Sequence, residues 1–166
     1  MKILRALLFA VVTVGSLTSC ALFQEQKPPE SYIGPREEVL YADFEEVWRA
    51  TNIALQTYPL RLSNMDEGLV ETDEVKGYRT WRPPFPRSKP AGTTYKISIR
   101  VVRGSSGERK ATKVIILKDT RVQRDFFSNA KQVPSDGLEE KALLYRIKRE
   151  IQIERALNQA QKNMNG

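Results

Sequence analysis

The feature that most constrains the fold is a run of strict alternation in Thr93–Arg103. Tyr95, Ile97, Ile99 and Val101 share one side, and Lys96, Ser98 and Arg100 the other. Period two at this length is the mark of a strand with one buried face. Gly104-Ser105-Ser106-Gly107 then reads as a turn, and Ala111–Val122 runs back through Val114-Ile115-Ile116-Leu117. Four consecutive apolar residues leave the facing of that return strand open. Ser105 and Ser106 are turn residues here, since a nucleophile elbow needs a strand-to-helix context and a base. An antiparallel pair with one apolar face asks for a covering layer.

Helices at either end can supply it. Asp43-Phe44-Glu45-Glu46 carries an N-cap Asp and a Glu three residues on, a variant of the capping box. Phe44, Val47, Trp48, Thr51, Ala54 and Leu55 then fall on one helical face, and Tyr58-Pro59 stops the helix. Glu45 and Glu46 complement the helix dipole rather than form a catalytic carboxylate pair. Leu60–Met65 alternates, Asp66-Glu67-Gly68 turns, and Leu69–Thr72 returns, which predicts a first hairpin. Residues 123–137 predict a long irregular connection ending in Pro134-Ser135-Asp136-Gly137. Leu138–Gln161 predicts the longest helix. Leu143, Leu144, Ile147 and Ile151 make one stripe, while Tyr145, Ile153, Ala156 and Ala160 lie on another side. The second stripe is expected to be covered by loops, with a docking surface as the alternative. Residues 163–166 are expected to fray. The order αββββα predicts an α+β sandwich, an antiparallel sheet of about four strands with two helices on one face.

Composition removes most chemistry. The chain has no His and one Cys in 166 residues. That excludes imidazole metal sites, His bases, an internal disulfide and Cys-based metal cages. No residue pair has spacing that demands catalysis, so the expectation is a protein that is not an enzyme, with no metal and no cofactor beyond a covalent lipid. That lipid follows from the N-terminus. Lys2 and Arg5 precede the apolar run Ala6–Val14, too short for the roughly 20 residues a spanning helix needs and suited to a secretory signal. Leu17-Thr18-Ser19-Cys20 then resembles the lipobox of bacterial lipoproteins. The resemblance implies a diacylglycerol thioether on Cys20, cleavage before it, and acylation of the new amine by a palmitate-type chain. Ala21 in place of Asp implies the outer membrane, periplasm-facing.

The organisation expected is therefore a signal peptide at 1–19, the lipidated Cys and a flexible tether at 20–36, one domain at 37–162, and a short tail. Loss of Lys2 and Arg5 with the signal lowers the net charge from +7 to +5. Nucleic acid, the usual partner of a basic chain, becomes an unsuitable one outside the cytoplasm. The residual charge is concentrated in Val75–Pro90. Lys76, Arg79, Arg82, Arg87 and Lys89 alternate there with Tyr78, Trp81 and Phe85, without an acid and among four prolines. Pro-rich chain cannot sit in a central strand, so this is an extended loop. Aromatics beside Arg suit flat, anionic or interfacial partners through stacking and cation–π contacts. These eight residues are the candidate partner-binding set; the alternative is that Trp81 and Phe85 fold back to cap the sheet.

The whole pattern looks like the helix-grip domains of the C-subunit lipoprotein of the outer-membrane β-barrel assembly machinery. Phe44–Ala50, Asp66–Thr72 and Leu143–Ile147 carry the likeness, which spans roughly residues 43–160. It implies a non-catalytic accessory or scaffold that binds other envelope proteins, membrane-attached through its lipid. A binding module for lipopolysaccharide, anionic lipid or peptidoglycan is the other function class left open.

Overall fold

A computed structural model describes residues 34–84 and 92–165. Leu17, Thr18, Ser19 and Cys20, the tether up to Ile33, and Phe85, Arg87 and Lys89 lie outside the described residues. The elements run β1 (Arg36–Leu40), α1 (Phe44–Ala54), β2 (Leu60–Asn64), β3 (Leu69–Thr72), β4 (Val75–Lys76), β5 (Thr93–Ser106), β6 (Arg109–Val122), β7 (Lys131–Val133) and α2 (Leu138–Met164). Seven strands form one antiparallel sheet in the order β1-β6-β5-β3-β2, with β4 beside β5 and β7 beside β6. The α+β class holds. The strand count does not: seven replace the expected four.

The β5–β6 ladder runs unbroken from Thr93↔Val122 to Ser106↔Arg109. Ser105 and Ser106 therefore belong to the strand rather than the turn, which is only Gly107-Glu108. Gly107 has φ 63°, as the first position of a type II′ connection requires. Pairing also resolves the open facing of β6. Val114 and Ile116 join Tyr95, Ile97, Ile99 and Val101 in the core, whereas Leu117 is 43% exposed on the other face. Gly68 closes the first hairpin with φ 62°, and a Cβ there would stand 2.1 Å from the Val101 carbonyl oxygen. Only glycine lets that turn approach β5.

Both helices bury their apolar stripes on the same sheet face, in one cluster that includes Phe44, Val47, Trp48, Leu143, Leu144 and Ile147. They lie antiparallel, joined by an Arg49–Glu154 ion pair and by Arg155, which donates to Glu46 (2.7 and 2.9 Å) and to the Tyr41 carbonyl (2.9 Å). The expected capping box does not form. Asp43 makes no side-chain cap and instead pairs with Lys110 at 3.1 Å, while Glu46 is taken by Arg155. A cation within reach outcompetes a backbone N–H that α1 can leave to water.

Three further boundaries differ from expectation. Arg36 already pairs with Ile116, so the ordered domain begins inside the segment expected to be tether. The connection after Val122 contains β7, paired with Thr120–Val122. The last helix continues to Met164, and its second stripe is not covered by any described loop. Tyr145 is 65% and Ile153 41% exposed, and residues 156–165, Ala156 and Ala160 among them, are all exposed. At 27 residues α2 is about 40 Å long and outruns the eleven-residue α1 against which it packs.

Candidate functional site

The basic segment begins in register. Val75 is buried opposite Tyr95, Lys76 faces Thr94, and the Gly77 amide donates to the Thr93 carbonyl at 2.9 Å. The chain then turns, with the Arg79 amide on the Lys76 carbonyl at 3.2 Å. Lys76, Arg79 and Arg82 are exposed, and among the described residues none of the three carries an ion pair. Tyr78 is half-buried. Trp81 is half-buried too, packed against the hydrophobic core, and Pro83 is buried. The described part of the segment, residues 75–84, thus points its indole inward and its three cations outward, as expected of a chain whose apolar groups have a core within reach. Lys76, Arg79 and Thr80 meet Thr57, Tyr58 and Glu74 around a cleft of about 580 Å³. A second cleft, of about 440 Å³ between the helices, carries Arg146, Arg149, Ile53 and Tyr145 and shares Thr57 with the first.

Beneath the first cleft lies a polar cluster for which the sequence reading made no provision. Tyr58 and Tyr95 each donate a hydroxyl to Glu139 Oε1 at 2.8 Å. Lys118 Nζ stands 2.7 Å from Glu139 Oε2 and 4.6 Å from the centre of the Tyr95 ring. All four side chains are buried. Burial, reinforced by the Glu139 charge, pushes both tyrosine hydroxyls far above their ordinary range, which keeps them as donors. Glu140, the next residue, is also fully buried, and neither of its carboxylate oxygens makes a hydrogen bond among the described residues. Burial pushes its carboxyl up. The Ser135 hydroxyl and the Lys118 ammonium pull the other way, the hydroxyl from outside hydrogen-bonding geometry.

The signal for this cluster was in β6. Once Val114 and Ile116 face inward, period two puts Lys118 and Thr120 inward as well. A Lys on a core face demands a carboxylate, and the first turn of α2 delivers two. The cluster fixes the start of α2 to the sheet under a sealed surface. Among the described residues, no group of three or more His, Cys, Asp or Glu is placed to hold a metal ion.

Register gathers the remaining surface features at one end of the sheet. Thr93↔Val122 closes the β5–β6 ladder there, and β4 and β7 pair at the same level. Tyr58, the basic segment and the start of α2 stand at that end. So does the 123–130 loop, rooted by the Gln123 amide on the Gly92 carbonyl at 3.1 Å. The first strand also starts toward it: β1 pairs Arg36 with Ile116 and Leu40 with Thr112, so its N-terminal end points along β6 toward Val122. No helix among the described residues is long and apolar enough to cross a membrane. No protein-family model matches this chain, and no curated protein matches its sequence.

Proposed function

We propose that the chain is a lipoprotein, anchored to the outer membrane through Cys20 and facing the periplasm. Its helix-grip-like domain serves as a non-catalytic accessory or scaffold subunit of an envelope assembly complex, with β-barrel assembly as the kind the sequence resemblance implies. The observation that carries this reading is apolar surface on α2 that no described residue covers. Tyr145, Ile153, Leu157 and Met164 are exposed, the last two where the helix runs on past Ile151, its last core residue. Exposed apolar surface on a rigid helix is the usual form of a protein-docking face. The test is affinity purification of the acylated chain in mild detergent, with mass spectrometry of what accompanies it. A defined envelope protein should co-purify and be lost on Leu157→Asp. A clean monomer carrying glycolipid overturns the reading. Incorporation of labelled palmitate, abolished by Cys20→Ala, checks the anchor separately.

A second reading has its own observation: Lys76 and Arg79 line the first cleft, Arg82 follows them, and none of the three has an ion pair among the described residues. It makes the domain a binding module for lipopolysaccharide, anionic lipid or peptidoglycan. Such contacts weaken as salt shortens the screening length to about 8 Å at physiological strength. Binding of lipopolysaccharide should then fall with salt and with Arg79→Glu/Arg82→Glu at unchanged melting temperature. Trp81 is left intact in this test because it packs against the core.

A further inference from the structure

Phe126 and Phe127 are adjacent and almost wholly exposed, at 89% and 98%. Their rings meet edge to face, 5.6 Å between centres at 88°. Scattered single apolar residues on a surface need no explanation; a contacting aromatic pair at a loop tip does. The loop that carries them is built rather than slack. The Ser128 hydroxyl donates to the Asp125 carbonyl at 3.0 Å, the Ser128 amide donates to the same carbonyl at 3.2 Å, and Gln123 Nε2 donates to the Ser128 carbonyl at 3.2 Å. These bonds close the turn and hold both rings outward.

The pair's surroundings select its partner. Arg124 and Lys131 flank it, exposed and without an ion pair among the described residues, against the single acid Asp125. The basic segment with Lys76, Arg79 and Arg82 emerges at the same end of the sheet, and β1 starts toward that end. Two phenylalanines offer roughly 300–450 Å², well below the approximately 800 Å² per partner of a standard protein interface. A bilayer boundary needs no shape complementarity, and it accepts aromatic rings at headgroup depth with cations on the lipid phosphates.

We propose that the Phe126–Phe127 tip enters the headgroup boundary of an anionic glycerophospholipid bilayer, with Arg124 and Lys131 on its phosphates, as a second membrane contact beside the acyl anchor. The anchor itself belongs to the function proposed above, and the insertion rests on it for proximity to a bilayer. The tip turns the Thr93–Val122 end of the sheet toward the lipid and leaves the helix face with Leu157 open to a partner.

The experiment uses the full acylated chain in vesicles of phosphatidylethanolamine and phosphatidylglycerol, with a nitroxide on Ala130→Cys and, as a control, on Asn158→Cys. At position 130 the label should be several-fold more accessible to dissolved oxygen, relative to a water-soluble nickel relaxant, than at 158. The difference should vanish in Phe126→Ser/Phe127→Ser and shrink in vesicles lacking phosphatidylglycerol. An aqueous label at 130, or depth unchanged by the serine replacements, overturns the inference. So does dipolar coupling between labels, which would mean the tip pairs two copies. Mass spectrometry of the N-terminal peptide reads acylation of Cys20 independently, so failure of the anchor and failure of the tip are told apart.

Discussion

Lys118→Met probes the polar cluster most directly. The ammonium is 2.7 Å from Glu139 Oε2, with side-chain exposures of 5% and 0%. Removing it leaves a buried carboxylate whose hydrogen bonds among the described residues are those from the two tyrosine hydroxyls, both on Oε1. Breaking a buried pair from one side costs about 3–5 kcal/mol. Against the roughly 5–15 kcal/mol that holds a domain together, that is a large share. It is roughly two to four powers of ten in the ratio of folded to unfolded chain. Adding Glu139→Gln removes the buried charge while its amide oxygen still accepts from Tyr58 and Tyr95. The double variant should recover to within about 1–3 kcal/mol of the parent, the remainder being the amide NH₂ facing a thioether. Chemical denaturation of the full chain in mild detergent, followed by the fluorescence of Trp48 and Trp81, measures both. A single variant within about 1 kcal/mol of the parent refutes the argument, since exposed pairs are worth that little and buried ones are not. So does a second substitution that adds to the damage instead of relieving it.

Glu140→Gln should act through pH. The folded chain holds the Glu140 proton more tightly than the unfolded chain does, because burial raises the carboxyl. Its stabilising share is complete below the unfolded carboxyl's value of about 4.3 and is lost as pH rises through the folded one. The variant should therefore gain on the parent in melting temperature at neutral and alkaline pH, and the gap should close toward pH 4; a gap independent of pH contradicts this. Gly68→Ala should cost about 3 kcal/mol or more, since its Cβ would strike the Val101 carbonyl as well as strain the backbone. Gly77→Ala, at φ 56° with nothing within 4 Å of the added carbon, should cost about 1–2 kcal/mol, and equal losses in denaturation midpoints at the two sites would refute the steric part.

Local pattern carried the elements whose burial follows their own periodicity. Tyr95 to Val101 alternate because one face meets the helices, and Phe44 to Ala54 repeat at helical spacing because one stripe does. Pattern failed where a strand exists only through its neighbour. Arg36–Leu40 reads Arg-Glu-Glu-Val-Leu directly after Pro35, a polar edge whose partners, Thr112 to Ile116, are far along the chain. Strands β4 and β7, of two and three residues, form because β5 and β6 extend past the core and present unpaired backbone groups. The Asp43 cap failed for a related reason: a capping signal is local, while Lys110 and Arg155 arrive from other elements.

The candidate site was legible in charge and not in direction. Composition located the cations of the basic segment, but nothing in Tyr-Arg-Thr-Trp-Arg says which side chains turn toward the sheet; Trp81 does because β4 stops beside the core. Lys118 follows four apolar residues, and either facing satisfied them until β5 fixed the register. Phe126–Phe127 has no period at all, so the same two letters would serve as a core plug or as an exposed tip. What decides between them is topology. The Thr93–Val122 rung sets the level at which Tyr58, Lys76, Gly92 and Gln123 leave the sheet, and β1 starts toward the same end. A surface assembled from segments that distant in sequence has no local signature, and its function has to be read from the fold's end rather than from any one motif.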